Sequence, residues 1–420
     1  MDMTKRYEEL SVETIPSRLG AIEEITNRLG AVTKKWRVKE VGDGNLNLVF
    51  IVESPDDTII VKQALPYVRL VGDSWPLPLY RAYYEHEALL RQEQRDPGSV
   101  PEIFYFDREQ ALIVMEFLQP HVILRGKLIA GQKVANLSET MGKFCARTAF
   151  RGSELSMESI DKKADVGIFS GNVKIPAITE SLVFTDPYFY AEMNQNTLKL
   201  DGVVGKLRSD VVLKARVQMF LMKFASNTET MLHGDLHSGS IMSTDDESRI
   251  IDPEFAQYGP MGFDIGMLTA NFLMAYFSQP GHRSEAELAS YQSWILNTIV
   301  EIFEHFNAEF KHLWATERTG MLYPKSLFED QGHSSEDACR SMLEHIMNDA
   351  LSFCGIEMHR RVLSLAHNAD FEAIEDTAVR APLEARNIAM GAELILNSEH
   401  IKDITSLASM AERFNEGEYL

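Results

Sequence analysis

Residues 233–242 read H-G-D-L-H-S-G-S-I-M, and residues 250–255 read I-I-D-P-E-F. The first stretch sets Asp235 in a glycine-punctuated loop, where Gly234 permits a backbone conformation that other residues resist. The second sets Asp252 and Glu254 at the end of an apolar run. Between them S-I-M, the turn T-D-D-E-S and R-I-I-D form a hairpin pattern. The 17 residues from Asp235 to Asp252 therefore return the chain to one place. Arg249 to Phe255 is expected to be a strand presenting both carboxylates on one side, because alternate residues share a face. Pro253 ends its pairing. A carboxylate within reach of an alcohol can accept its proton, and two carboxylates beside phosphate oxygens suit Mg2+. The constellation points to phosphoryl transfer, with Asp235 catalytic and Asp252 and Glu254 as metal ligands. His233 and His237 are expected to hold the loop together.

The rest of the chain supplies the other parts such chemistry needs. Residues 17–30 read as one helix closing at Gly30. From 36 to 65 the pattern is strand, glycine turn, strand, turn, strand. Tyr80 to Gln94 reads as a helix, and I-F-Y-F-D and A-L-I-V-M-E-F as two further strands. Beyond Q-P-H at 119–121 the sequence turns mostly helical. The expected fold is α+β and bilobal, of the protein-kinase-like plan. A small antiparallel β N-lobe with a leading helix covers 1–116, a hinge 117–121, and a large helical C-lobe with the catalytic hairpin 122–420.

Gly42, Asp43, Gly44 and Asn45 lie between two strands, where backbone N–H groups can approach phosphate oxygens. Lys62, on the next strand, is the candidate phosphate cation. Its ion-pair partner is expected from the following helix. Glu85 and Glu87 both qualify, and Glu85 is preferred because Leu89 at i+4 places it beside the inward face. The nucleotide base is expected against the backbone of Glu116, Phe117 and Leu118. Asp264 in G-F-D-I-G is expected to anchor the catalytic loop through backbone N–H groups.

Composition limits the alternatives. The 420 residues are 45% hydrophobic, enough for a large core, and carry a formal net charge of -21. That field argues against nucleic acid or an anionic membrane as a partner. Three scattered cysteines make no C-x-x-C pair and suit a reducing compartment. The first residues lack an apolar signal core, and the apolar run at 266–277 is too short and broken to span a bilayer. The expectation is a soluble, cytoplasmic protein.

H-G-D-L-H-S-G-S with I-I-D-P-E resembles the loop of the aminoglycoside phosphotransferase and choline kinase group. Members of that group read H-x-D-x-x-x-x-N, with the Asn on metal. Five residues beyond Asp235 stands Ser240, so that Asn is absent, and Glu254 is a candidate for the missing ligand. The wider pattern resembles the 5-methylthioribose kinase family. It is carried by V-G-D-G-N-L-N-L-V-F (41–50), I-V-K-Q-A-L-P-Y-V-R (60–69), G-D-S-W-P-L (72–77), D-P-E-F-A (252–256), G-P-M-G-F-D-I-G (259–266) and C-G-I-E-M-H-R-R (354–361). The resemblance implies ATP and Mg2+ as cofactors, 5-methylthioribose as the small-molecule substrate, phosphorylation of its 1-hydroxyl, methionine salvage and a homodimer. It places Arg360 and Arg361 near the sugar, where guanidinium forks suit hydroxyl and phosphate oxygens. Adjacent helical residues point about 100° apart, so one of the two is expected to reach straight in. Trp75 is a further substrate candidate, closing over the sugar or packing on the sheet. The alternative keeps the class and changes the acceptor, to an aminoglycoside- or choline-type kinase.

Overall fold

A computed structural model describes residues 7–42, 46–68 and 72–417. Asp43, Gly44 and Asn45, named above for the glycine turn, lie outside the described residues. The chain opens with α1 (Ile15–Leu19) and α2 (Glu23–Leu29). The single helix expected over 17–30 is broken at Gly20–Ala21. Gly20 N–H still bonds Pro16 O, but Ile22 is extended and starts a new helix. Gly30 closes it at φ +79.

The N-terminal sheet contains β1 (Arg37–Glu40), β2 (Asn47–Glu53) and β3 (Thr58–Ala64). After a short ribbon, β4 (Tyr67–Val68) with β5 (Gly72–Pro76), comes α3 (Arg81–Arg95). The sheet then takes up β6 (Ile103–Asp107) and β7 (Leu112–Glu116). Strand order is β1-β2-β3-β7-β6, antiparallel at every pairing. Alternation explains β3: Ile59 and Val61 are fully buried on one face among Phe50, Val52 and Val114. That face packs on Ile15, Leu19, Ile25 and Leu29 of the two leading helices. Lys62, out of phase with them, points to the other face.

The remainder is largely helical: α4 (Leu124–Ala130), α5 (Leu137–Arg151), α6 (Ser159–Phe169), α7 (Lys174–Leu182), α8 (Asp201–Ser209) and α9 (Val211–Ser226). Then come α10 (Phe263–Ser278), α11 (Glu285–Thr316), α12 (Glu336–Leu363), α13 (Ala369–Glu372), α14 (Thr377–Asn397) and α15 (Ile404–Glu416). The apolar run at 266–277 is the middle of α10, buried on every side. A helix apolar all round belongs in the centre of a core, and α10 lies against α12, α11 and α14. No helix among the described residues is long and apolar enough to cross a membrane. Cys145, Cys339 and Cys354 are buried free thiols.

Short strands interrupt the helices: β8 (Val122–Ile123), β9 (Thr230–Met231), β10 (Ile241–Ser243), β11 (Ser248–Ile250) and β12 (Tyr258–Gly259). β10 pairs with β11 and β8, and β9 with β12. The loop 233–240 is thus slung between β9 and β10, and the segment 251–257 between β11 and β12.

Candidate active site

Each end of the catalytic-type loop is tied down. Asp264, in the first turn of α10, accepts the backbone N–H of His233 on Oδ2 (2.7 Å) and of Gly234 on Oδ1 (3.0 Å). Gly234 sits at φ +86. A Cβ there would lie 2.3 Å from the Phe255 carbonyl oxygen, so glycine is required for both reasons. His233 is 1% exposed. Its Nε2–H donates to Ile251 O (2.9 Å), and Nδ1 accepts from Asp235 N–H (3.3 Å). It therefore fastens the loop to the returning hairpin, a tautomer assigned from the bonding pattern. Ser240 Oγ donates within the loop, toward Asp235 O (2.9 Å), and accepts from His237 N–H (2.9 Å). Its hydroxyl is used up inside the loop.

The loop presents the Asp235 carboxylate. Oδ1 accepts from Arg361 Nη2 (3.1 Å) and Oδ2 from His237 Nε2 (3.3 Å). Burial alone would raise this carboxyl. His237 and the guanidiniums of Arg361 and Arg360 override it and hold the group below the ordinary carboxylate range. Burial brings the His237 imidazole down to about 4 against the pull of Asp235, with Arg361 and Arg125 adding to the fall. His237 is therefore neutral at neutral pH and acts on Asp235 as a hydrogen-bond donor. Its Nδ1 accepts from Gly239 N–H (2.9 Å), which sets that tautomer. The sequence gives His237 a holding role in the loop; its direct bond to the carboxylate emerges only in three dimensions.

Of the arginine pair on α12, Arg361 is the one bonded to Asp235. It is 5% exposed and also paired with Glu357, which is fully buried one turn earlier. Arg360 points elsewhere. With Asp235 and Glu357 it lines the polar end of a small cavity of about 20 Å³. Ile178 and Leu182 of α7, Val183 after it, Phe255 and Met267 supply the apolar end. Nothing in the sequence pattern assigns α7 to the site. The i,i+4 spacing of Glu357 and Arg361 is the one local signal for that pair.

On the sheet side Lys62 is 8% exposed. Its Nζ bonds Glu85 Oε1 (2.6 Å) and also Asp252 Oδ1. Glu87 instead pairs with Arg91. Burial opposes the Lys62 charge, but Asp252, Glu85 and Glu254 outweigh it and raise the amine above its ordinary value. Burial raises the Glu85 carboxyl against the pull of Lys62. Asp252 is pushed up by burial and pulled down further by Lys62, ending below its ordinary value.

The strand expected over 249–255 stops at Ile250. Asp252 lies at φ +71, the left-handed region, which costs a non-glycine residue roughly 1–2 kcal/mol. Pro253 contributes no N–H. Alternation along a strand is therefore not what aims the two carboxylates, and they diverge. Asp252, its side chain 46% exposed, turns to Lys62, whereas Glu254 is buried against Arg81 at 2.7 Å. The donor set is all oxygen, which fits a hard dication that keeps its own waters and takes phosphate oxygens besides one or two carboxylates.

Glu116 ends β7, its N–H on Glu102 O (2.8 Å) and its side chain accepting from Glu102 N–H (3.1 Å). Phe117 is half-buried and Leu118 buried, just before the cis Gln119–Pro120 bond. A Cβ added at Gly42 would meet nothing within 4 Å. Trp75 lies in the β4–β5 ribbon, half-buried.

Comparison with known proteins adds the lineage. A family model described as the phosphotransferase enzyme family matches residues 37–294. A methylthioribose kinase of Escherichia coli O45:K1 (strain S88 / ExPEC) is 41% identical, over 97% of this chain and 98% of its own. Methylthioribose kinase 1 of Oryza sativa subsp. japonica is 38% identical, over 97% of this chain and 96% of its own. Among solved structures, a glucosamine kinase in complex with glucosamine, ADP and inorganic phosphate aligns at TM-score 0.47 and 14% identity, over 90% of this chain and 85% of that one. With a family model over more than half its length and relatives of such identity over nearly all of it, this chain belongs to the phosphotransferase enzyme family, among the methylthioribose kinases.

Proposed function

We propose that the protein transfers the γ-phosphoryl group of ATP to the 1-hydroxyl of 5-methylthio-D-ribose, yielding 5-methylthioribose 1-phosphate for methionine salvage in the cytoplasm. The observation that carries this reading is the position of Asp235. It lies at the polar end of the α7 cavity and close enough to Asp252 for Asp252 to feel its charge. One carboxylate thus joins an acceptor pocket to a phosphate-handling group of charges.

In this reading the nucleotide lies between residues 1–116 and 122–420, its base at Glu116 to Leu118, where the first lobe runs into the 117–121 hinge, and its phosphates beside Gly42. Lys62, fixed by Glu85, neutralises phosphate oxygens. Asp252 and Glu254 would hold Mg2+, which supplies charge neutralisation on the phosphates. Asp235 accepts a hydrogen bond from the acceptor hydroxyl. The new O–P bond forms, the bond to the bridging oxygen breaks, and ADP leaves with that electron pair. The acceptor proton passes to Asp235. Because its carboxyl is held low, Asp235 is a weak base, so it orients the hydroxyl first and takes the proton late. Arg360 faces the sugar oxygens, Arg361 and His237 fix the carboxylate, and Trp75 stands at the ribbon end of the site. The apolar α7 wall suits a thioether methyl. Two guanidiniums beside Asp235 disfavour the cationic acceptors of aminoglycoside- and choline-type kinases. The protein is a homodimer in this reading, as the family resemblance implies.

The test is ADP release from ATP with 5-methylthioribose, ribose, choline or kanamycin as acceptor. Turnover with 5-methylthioribose alone is expected. Comparable turnover with choline or kanamycin would overturn the substrate assignment.

A further inference from the structure

Arg81 has no part in the reaction as described, yet it is a fully enclosed charge beside it. It opens α3 and is 0% exposed. Nη1 donates to Glu254 Oε2 (2.7 Å) and to Asn47 Oδ1. Nη2 donates to Leu65 O (3.0 Å) and to Leu46 O. One planar guanidinium thus joins the start of β2, the end of the Lys62 strand and the segment after Asp252. Arg81 and Glu85 are four residues apart and share a face of α3. From that face Glu85 goes to Lys62 and Arg81 to Glu254. Two cations and three carboxylates meet here, Lys62 and Arg81 with Glu85, Asp252 and Glu254, leaving one negative charge in excess. Lys62 feels Glu254 as well as its own two partners. Without Arg81, Glu254 would be an unpaired buried carboxylate whose nearest relief is Lys62. A lysine at position 81 keeps the charge but cannot span four acceptors in one plane.

We infer that Arg81 is a positioning residue that holds Glu254 apart from Lys62, in fixed register with the Lys62 strand, so that the Glu254 carboxylate stays available to a divalent cation bound by Asp252. This rests on the reading of Asp252 and Glu254 as the metal carboxylates. It adds what keeps the second of them available.

The experiment measures ADP affinity with EDTA and with Mg2+ by calorimetry, and takes the ratio of the two Kd values as the metal's effect. Thermal denaturation runs alongside. Arg81→Lys and Glu254→Gln are each expected to lower the ratio roughly tenfold, the worth of one lost charge-assisted contact. The double variant is expected to fall no further than Glu254→Gln alone, because the two act as one unit. Should Arg81→Lys not fold, Asn47→Ala removes one of the guanidinium's acceptors without touching a charge, and is expected to lower the ratio about threefold. An unchanged ratio in a folded Arg81→Lys or Asn47→Ala protein would overturn the inference, whatever its melting temperature. So would additive losses in the double variant. If ADP binding by the unsubstituted protein ignores Mg2+, the proposed metal site fails and the inference falls with it.

Discussion

Asp264→Asn separates the geometry of the catalytic loop from the stability of the fold. The carboxylate makes two charge-assisted bonds, to His233 N–H and Gly234 N–H. Removing an acceptor from a buried donor costs about 1–3 kcal/mol. The amide keeps one acceptor and turns its NH2 toward the other donor, so one bond is lost and one N–H is orphaned. The charge also favours the α10 N-terminus by about 0.3–1 kcal/mol. Against these losses stands the burial of the ionised group, which raises the Asp264 carboxyl above its ordinary value. A neutral amide escapes that cost. The net destabilisation is therefore expected to be only about 2 kcal/mol, a shift of roughly 2–3 °C in a protein of this length. Activity has no such offset. Asp235 follows Gly234 directly, and a displacement of about 1 Å at a reacting group can cost about a hundredfold. Turnover in the ADP-release assay is expected to fall about a hundredfold, with circular dichroism and nucleotide affinity nearly unchanged. Turnover within threefold of the unsubstituted protein would refute the claim that Asp264 positions Asp235. So would a loss of activity no larger than the loss of folded protein.

Asp235→Asn is expected to lower turnover by about 10²–10⁴ with ATP affinity unchanged, read by ADP release and calorimetry; near-normal turnover would remove Asp235 from the chemistry. Leu182→Asn places an amide in the apolar wall of the cavity and is expected to lower the kcat/KM preference for 5-methylthioribose over ribose by about ten- to a hundredfold; an unchanged preference would put the methylthio group elsewhere. Asp370 is fully buried, and burial raises its carboxyl to about 6 against the pull of Arg125, 3.6 Å away. A raised carboxyl binds its proton more tightly folded than unfolded, so its contribution is fully present below about pH 4 and lost as pH rises through about 6, worth about 3 kcal/mol. Denaturant titrations should show that Asp370→Asn flattens the fall in stability between about pH 4 and 7 relative to the unsubstituted protein; identical slopes would refute it.

The sheet and the catalytic hairpin were legible because their signals are local. Apolar runs bounded by turn residues mark β2, β3 and β7, and glycine beside Asp and His marks the loop. Asp264 could be placed behind the loop for the same reason, as a carboxylate at the head of an apolar helix. The contacts that organise the site are not local. Lys62 and Asp252 are 190 residues apart, Arg81 and Glu254 173, Arg361 and Asp235 126. A residue pattern shows which face of α3 or α12 carries charge. It does not show which distant partner meets that face. The α7 wall and the β4–β5 ribbon were missed because apolar helical residues and two-residue strands look alike in core and site. Helix 17–30 was over-read because the apolar period runs on through Gly20, whereas the backbone turns there.

Ser240 shows how one changed residue redistributes the work around it. The Asn of the H-x-D-x-x-x-x-N pattern carries an amide long enough to reach a metal. The serine hydroxyl is short and 3% exposed, and it is spent on Asp235 O and His237 N–H. It therefore tightens the loop that presents Asp235 and leaves position 240 without a free oxygen. The carboxylates read here as metal ligands are Asp252 and Glu254, and each already leans on a cation of the N-terminal region, one on Lys62 and the other on Arg81. Any dication bound there shares its carboxylates with two fixed positive charges. Such a site binds weakly unless phosphate oxygens complete it and draw Lys62 toward themselves. Metal and nucleotide are thus expected to favour each other's binding, a coupling that by linkage runs equally in both directions.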